Sequence, residues 1–219
     1  MIRYAHVLGL CAALGVAGIH AASAADYPTR TIQIVVPYAA GGGVDLTARV
    51  VAQQMSEDTG QSVVVINKPG ASGVVGSQFV SSAKPDGYTL LLASGVTEAT
   101  APFILGQTSF DLMRDLTPVA EVAYGSEIVV VNPKFPAKTF GDLVTYIKQH
   151  PTTFRWGVGG LGTLEHLTIT ALDQRLGVKP VVAPYNGVAP ATVATISGEI
   201  NATLLPLAGA KGNLEAGTL

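Results

Sequence analysis

The chain has 219 residues, of which 48% are hydrophobic and only 13% charged, with a formal net charge of −2. Enough apolar material is present for one large or two small buried cores, which excludes a disordered segment. The slight acidic balance supplies no basic footprint, which excludes nucleic acid as a charge-matched partner.

The N-terminus reads as an export signal over residues 1–24. Arg3 supplies the positive charge, residues 7–19 are an apolar run, and Ala22-Ser23-Ala24 is a small-x-small cleavage site. The apolar run falls short of the roughly 20 residues needed to span a bilayer. Cys11, the only cysteine, follows Leu10 and not the small residue a lipid-modified cysteine requires. Cleavage after Ala24 removes Cys11 along with Arg3, His6 and His20. The expected mature chain then has no thiol chemistry, disulfide or cysteine metal site. It keeps 12 basic against 15 acidic side chains, so attraction for an anion has to be local. No metal or cofactor is expected.

After the signal, strand, glycine turn and helix alternate. Residues 31–36 (TIQIVV) predict a strand ending at Pro37, followed by Gly41-Gly42-Gly43. Val44, Ala48, Val51 and Met55 then recur at helical spacing up to Gly60. Residues 63–66 predict a strand, residues 67–70 a turn, residues 73–82 a helix, and Pro85-Asp86-Gly87 a turn before a strand over 88–93. In the second half, residues 128–131 predict a strand and Thr139-x-x-Asp142 a capping box. The helix it opens is expected to bury Phe140, Leu143, Val144 and Ile147. A strand over 154–158 leads to a helix over 163–176 with Leu164, Leu167, Ala171 and Leu172 on one face. Strands over 181–183 and 200–205 flank a helix starting near Pro190. This alternation predicts a parallel sheet covered on both faces. The unpatterned stretch 112–123 is the expected lobe boundary, giving lobes over 25–122 and 123–219.

Ligands in such sheets bind beyond the carboxyl ends of the strands, where both glycine loops fall. In Pro37-Tyr38-Ala39-Ala40-Gly41-Gly42-Gly43-Val44-Asp45, three glycines let backbone approach a ligand, and the following helix presents unsatisfied N–H groups. A carboxylate there gains roughly 0.3–1 kcal/mol, or about 2 kcal/mol when partly buried. Asp45 is better placed to cap the helix than to bind. A plain strand-to-helix turn is the bland alternative.

Gly157-Val158-Gly159-Gly160-Leu161-Gly162 matches G-x-G-x-x-G between a strand and a helix. A dinucleotide site also needs an acid to hold the ribose, and residues 177–184 (GVKPVVAP) have none. A second anion cradle capped by Thr163 is the better use of the loop. His166 either reaches toward the cleft or packs against its helix. Glu98 either meets a ligand amine or is solvated. The sequence contains no G-x-S-x-G, H-E-x-x-H or G-x-x-x-x-G-K-[ST], so an enzyme is not expected.

The runs YPTRTIQIVVPYAAGGGVDLTARVVAQQM and GQSVVVINKPGASGVVGSQFVSSAKPDGYTLLLAS resemble the Bug/TctC family of periplasmic solute-binding proteins of tripartite tricarboxylate transport systems. DLTPVAEVA, the G-x-G-T-x-x-H-L of residues 160–167 and PYNGVAPA at 184–191 extend the likeness over the whole mature chain. The resemblance implies a type II periplasmic-binding-protein fold of two α/β lobes around a cleft. It implies a small carboxylate ligand, gripped by backbone amides of the loops at Ala39–Gly43 and Gly159–Thr163, and a membrane permease as partner to a monomer. The candidate contacts are Tyr38, Ala39, Ala40, Gly41, Gly42, Gly43, Asp45, Ser72, Thr97, Gly159, Gly160, Gly162, Thr163, His166, Tyr185 and Asn186.

This chain departs from the family pattern at three places. Val158 replaces a frequent Ser or Thr, Asn186 stands where a basic residue is common, and residues 200–205 (INATLL) lack the usual Asp and Phe. These changes favour a less charged or more apolar acid. Family chains continue beyond the position of Leu219, so a truncated member with an incomplete first lobe and exposed apolar surface is expected. A secreted oxidoreductase using the glycine motif, or a non-binding fragment, are the alternative readings.

Overall fold

The computed structural model describes residues 27–106 and 110–219. The predicted signal segment lies outside the described residues. Strands and helices alternate in two α/β lobes. In the first, β1 (Ile32–Val36) is followed by α1 (Gly43–Thr59), β2 (Val63–Asn67), a 3₁₀ turn (Ala71–Gly73), α2 (Val74–Ser81), β3 (Thr89–Leu91) and α3 (Gly95–Ile104). The sheet is parallel in the order β2-β1-β3. Central β1 is apolar on both faces, with Ile32, Ile34, Val35 and Val36 all buried. Ala48 and Ala52 of α1 pack on Ile34 and Val36. Their small side chains let helix and sheet approach closely.

A short helix α4 (Leu112–Asp115), capped by the Asp111 carboxylate, and the irregular, mostly exposed residues 116–126 lead to the second lobe. That lobe comprises β4 (Glu127–Val131), α5 (Phe140–Gln149), β5 (Arg155–Val158), α6 (Leu164–Leu176), β6 (Val181–Pro184), α7 (Val188–Ser197), β7 (Ala202–Pro206) and α8 (Leu207–Glu215). Its sheet runs β4-β7-β5-β6, and β4 is antiparallel to β7. The all-parallel expectation is therefore corrected at this edge. Side-chain alternation has the same period in either strand direction, so EIVVV carries no directional signal.

The second core gathers Ile147, Phe154, Trp156, Val158 and Ile169, all fully buried. Phe154 and Trp156 meet edge to face at 4.9 Å. The indole Nε1–H donates to Asp173 Oδ1 at 3.3 Å, and burial raises the Asp173 carboxyl. This bond explains an error of periodicity. The buried face of α6 is marked by Ile169 and Asp173, whereas Ala171 and Leu164 are exposed. A polar residue serving Trp156 hid the stripe. Phe140 is likewise 54% exposed, because it opens α5 one residue after the cap, and Leu143 and Ile147 carry the burial. The capping box of Thr139 and Asp142 is present. Trp156→Ala is expected to cost about 3–5 kcal/mol, read as a lower urea midpoint.

Besides the four-residue α4, two helices escaped the periodic reading. α3 contains Pro102 and buries Thr97 and Glu98 beside Ala101, so its inward face is not an apolar stripe. α8 leaves β7 and returns toward the first lobe. Its Ala210 packs with Val130 and Leu205, while Gly209 lies beside the start of α1. Among the described residues no helix is long and apolar enough to cross a membrane.

Candidate functional site

Five helices begin at one small cavity between the lobes. Gly42 and Gly43 start α1, Ser94 starts α3, Thr163 starts α6, Gly187 and Val188 start α7, and Pro206 starts α8. The cavity is about 50 Å³ and is also lined by Tyr38, Ala39, Val44, Asp45, Thr97, Gly159 and Glu165. Only α6 among these five has a side-chain cap. Each helix start presents positive partial charge and N–H groups, so their convergence builds a local anion-attracting field without a cationic side chain. No Lys, Arg or His lines this cavity.

The first loop is fixed by a polar clamp. The Gly41 N–H donates to Asp45 Oδ2 at 2.9 Å, and Arg49 Nε and Nη2 reach the same carboxylate at 3.0 and 3.1 Å. Asn67 Nδ2 bridges Asp45 Oδ1 and the Tyr38 carbonyl. Burial alone would raise the Asp45 carboxyl, but the bonds from Arg49, Gly41 and Asn67 outweigh it and hold the group below its ordinary value. Asp45 thus borders the cavity with its oxygens already engaged, and it ties down the loop where a helix cap was expected. Gly42 is the cap residue.

Behind this loop, the Tyr38 hydroxyl lies 2.7 and 3.0 Å from the two Glu98 carboxyl oxygens. Glu98 is 3% exposed, and burial raises its carboxyl to about 8 despite the opposing bond from Tyr38. Burial and the neighbouring Glu98 also raise the Tyr38 phenol. Glu98 is therefore neither solvated nor a cavity-lining group, but a protonated partner of Tyr38 at neutral pH.

The second loop closes on itself. Thr163 Oγ1 donates to the Gly160 carbonyl at 2.9 Å and accepts from the His166 N–H. His166 Nδ1 accepts from the Gly162 N–H at 3.0 Å, and burial lowers its pKa, so the ring is neutral with its proton on Nε2. His166 holds the loop and lines neither cavity, which corrects its placement toward the cleft.

Glycines mark where the lobes touch. Gly162 (φ +83°) faces Ala101, where an added Cβ would lie 2.8 Å from the Ala101 Cα. A Cβ on Gly160 would strike the Ser72 hydroxyl. The Ala39 N–H donates to the Asn186 carbonyl at 3.2 Å, and Thr100 Oγ1 lies 2.6 Å from the Gly162 carbonyl. The G-x-G-x-x-G spacing is thus used for backbone contact across the gap. Ser72, Gly160, Tyr185 and Asn186 line a second, more open cavity of about 440 Å³ with Ala71, Leu105, Leu161, Pro184 and Pro190. Ala71 and Ser72 hold positive φ values of 45° and 52°, a strained conformation for residues with a Cβ.

The predicted set therefore divides. Tyr38, Ala39, Gly42, Gly43, Asp45, Thr97, Gly159 and Thr163 meet at the small cavity, and Ser72, Gly160, Tyr185 and Asn186 at the larger one. Ala40 and Gly41 are exposed, and Gly162 is buried against α3. Not every amide of the two loops is open to a ligand. Those of Ala39, Gly41 and Gly162 are spent on Asn186, Asp45 and His166. Val44, Ser94, Glu165, Gly187, Val188 and Pro206 were missed, although each lies at or next to a helix start. Treating every strand-to-helix junction at that sheet edge as a candidate would have found most of them.

Residues 47–219 match the model of the tripartite tricarboxylate transporter family receptor. The chain belongs to this receptor family. The protein BugT of Bordetella pertussis is 33% identical over 225 aligned positions, and a UPF0065 protein of the same organism 35% identical over 196. Those alignments take in 100% and 90% of this chain but 67% and 60% of the relatives. Among solved structures, the family likeness extends to R. palustris Rpa4515 with adipate, at a TM-score of 0.85 and 33% identity. MatC from Rhodopseudomonas palustris with bound malate has a TM-score of 0.81 and 28% identity. Each comparison covers 88% of this chain and 64–65% of the other. The chain thus spans between about half and two thirds of the length of the family members it matches.

Proposed function

We propose that the protein is an exported receptor that captures a small carboxylate where the five helix starts converge, between lobes divided near residue 122, and delivers it to a membrane permease. The convergence of those helix starts on one cavity carries this reading. Gly42, Gly43, Gly159 and Thr163 supply backbone donors, with the Ser94 hydroxyl beside them. Of the nearby acids, Asp45 is offset by Arg49 and Glu98 is protonated, while Glu165 opposes an anion only on its own side of the cavity. Each partly buried helix end contributes up to about 2 kcal/mol toward an anion, and each charge-assisted hydrogen bond about 1.5–3 kcal/mol. Family members solved with adipate and malate support a carboxylate as the cargo. The apolar run and small-x-small site in residues 1–24 support export.

Thermal unfolding in the presence of mono-, di-, tricarboxylic and aromatic acids tests the reading. At a hundred times its Kd, a bound acid adds about 2.7 kcal/mol, raising the melting temperature on the order of 5–10 °C. Failure of every acid to shift the melt at millimolar concentration sinks the assignment.

A further inference from the structure

The small cavity has two chemically different sides. Helix starts at Gly42, Ser94 and Val188 present N–H groups, whereas Glu165, in the first turn of α6, presents a carboxyl. No cationic side chain lines either cavity to balance it. The Glu165 side chain is hydrogen-bonded to that of Glu127. Glu127 opens β4 directly opposite Pro206, another residue of the cavity wall. Glu165 thus presents hydrogen-bond-accepting oxygens to the cavity. Burial first and the neighbouring Glu165 second raise the Glu127 carboxyl to about 7.

A ligand complementary to this cavity places an anion against the helix starts and a donor against Glu165. A second carboxylate on the ligand would instead meet the carboxyl pair at close range in a poorly solvated space. We infer that Glu165, positioned by Glu127, is a specificity-determining residue that selects carboxylates bearing an ammonium group and disfavours dicarboxylates. This inference rests on the carboxylate-capture reading above and narrows the ligand class.

Calorimetric titration at pH 7.5 with chain-matched probes tests it: 4-aminobutyrate, butyrate and glutarate on the wild type, Glu165→Gln and Glu127→Gln. The wild type is expected to bind 4-aminobutyrate at least ten-fold more tightly than butyrate, and glutarate more weakly than butyrate. Glu165→Gln is expected to abolish the ammonium preference and improve glutarate binding relative to butyrate, with a cooperative thermal melt showing that the protein has folded. Glu127→Gln, which keeps a hydrogen-bond partner for Glu165, is expected to retain the preference. Tighter binding of glutarate than of 4-aminobutyrate by the wild type, or an unchanged ranking in Glu165→Gln, overturns the inference and leaves carboxylate capture standing. Absence of binding by every acid overturns both.

Discussion

Gly162→Ala is expected to weaken carboxylate binding at least 100-fold, a loss of about 2.8 kcal/mol, while leaving the fold largely intact. The new methyl group would lie 2.8 Å from the Ala101 Cα across the gap between the lobes. Backbone cannot yield as the tip of a flexible side chain can. The lobes must part or α3 must shift, and either change disturbs α3, whose first turn lines the cavity. The positive φ of Gly162 adds roughly 1–2 kcal/mol of strain, whether the lobes are together or apart. Gly177→Ala separates the two effects. Gly177 also has a positive φ, of 68°, but an added Cβ there meets nothing within 4 Å. Its substitution should lower the urea midpoint through the same backbone strain and leave affinity unchanged. Equal affinities for wild type and Gly162→Ala, measured by calorimetry, would contradict the closed arrangement as the binding form.

The second large effect concerns pH. Glu98 has a folded-state pKa of about 8, well above the ordinary value near 4.5, so folding takes up a proton at intermediate pH. Its stabilising contribution is fully present below pH 4.5 and is lost as pH rises through 8. At roughly 1.4 kcal/mol per unit, the loss is on the order of 5 kcal/mol for this 3% exposed group. Glu127, raised to about 7, adds to the decline in the same direction. Glu98→Gln cannot ionise yet can still accept from Tyr38. It should therefore flatten most of the slope and be more stable than the wild type at pH 8.5. Urea midpoints from pH 5 to 9 measure this. A wild type whose stability climbs over that interval, or a variant with the same slope, would refute the assignment of a neutral buried Glu98.

Much of the fold was legible because apolar strands, glycine turns and helix caps agree with one another. The TIQIVV run, the Thr139 and Asp142 box, and Gly60 and Gly177 as helix ends each rest on local chemistry. What stayed hidden depends on partners distant in sequence. Nothing local shows that Asp173 faces inward for Trp156, that β4 runs against its neighbour, or that Thr97 and Glu98 point α3 into the protein. The candidate site divided in the same way. The two glycine loops stood out, but Glu165 gains its meaning from Glu127, and Pro206 from the arrival of β7 beside α1. The Gly41 and Gly162 amides looked available only because Asp45 and His166 could not be seen folding back onto them.

The places where the lobes press together have a mechanical consequence. Gly160 meets Ser72, Gly162 meets Ala101, and Gly187 meets Ala39, so bare or nearly bare main chain forms both mating faces. Such residues have few or no rotamers to freeze. On the proposed reading of carboxylate capture, shutting the jaws would therefore waste little of the cargo's grip on ordering long side chains, and the same smoothness would let them spring apart again.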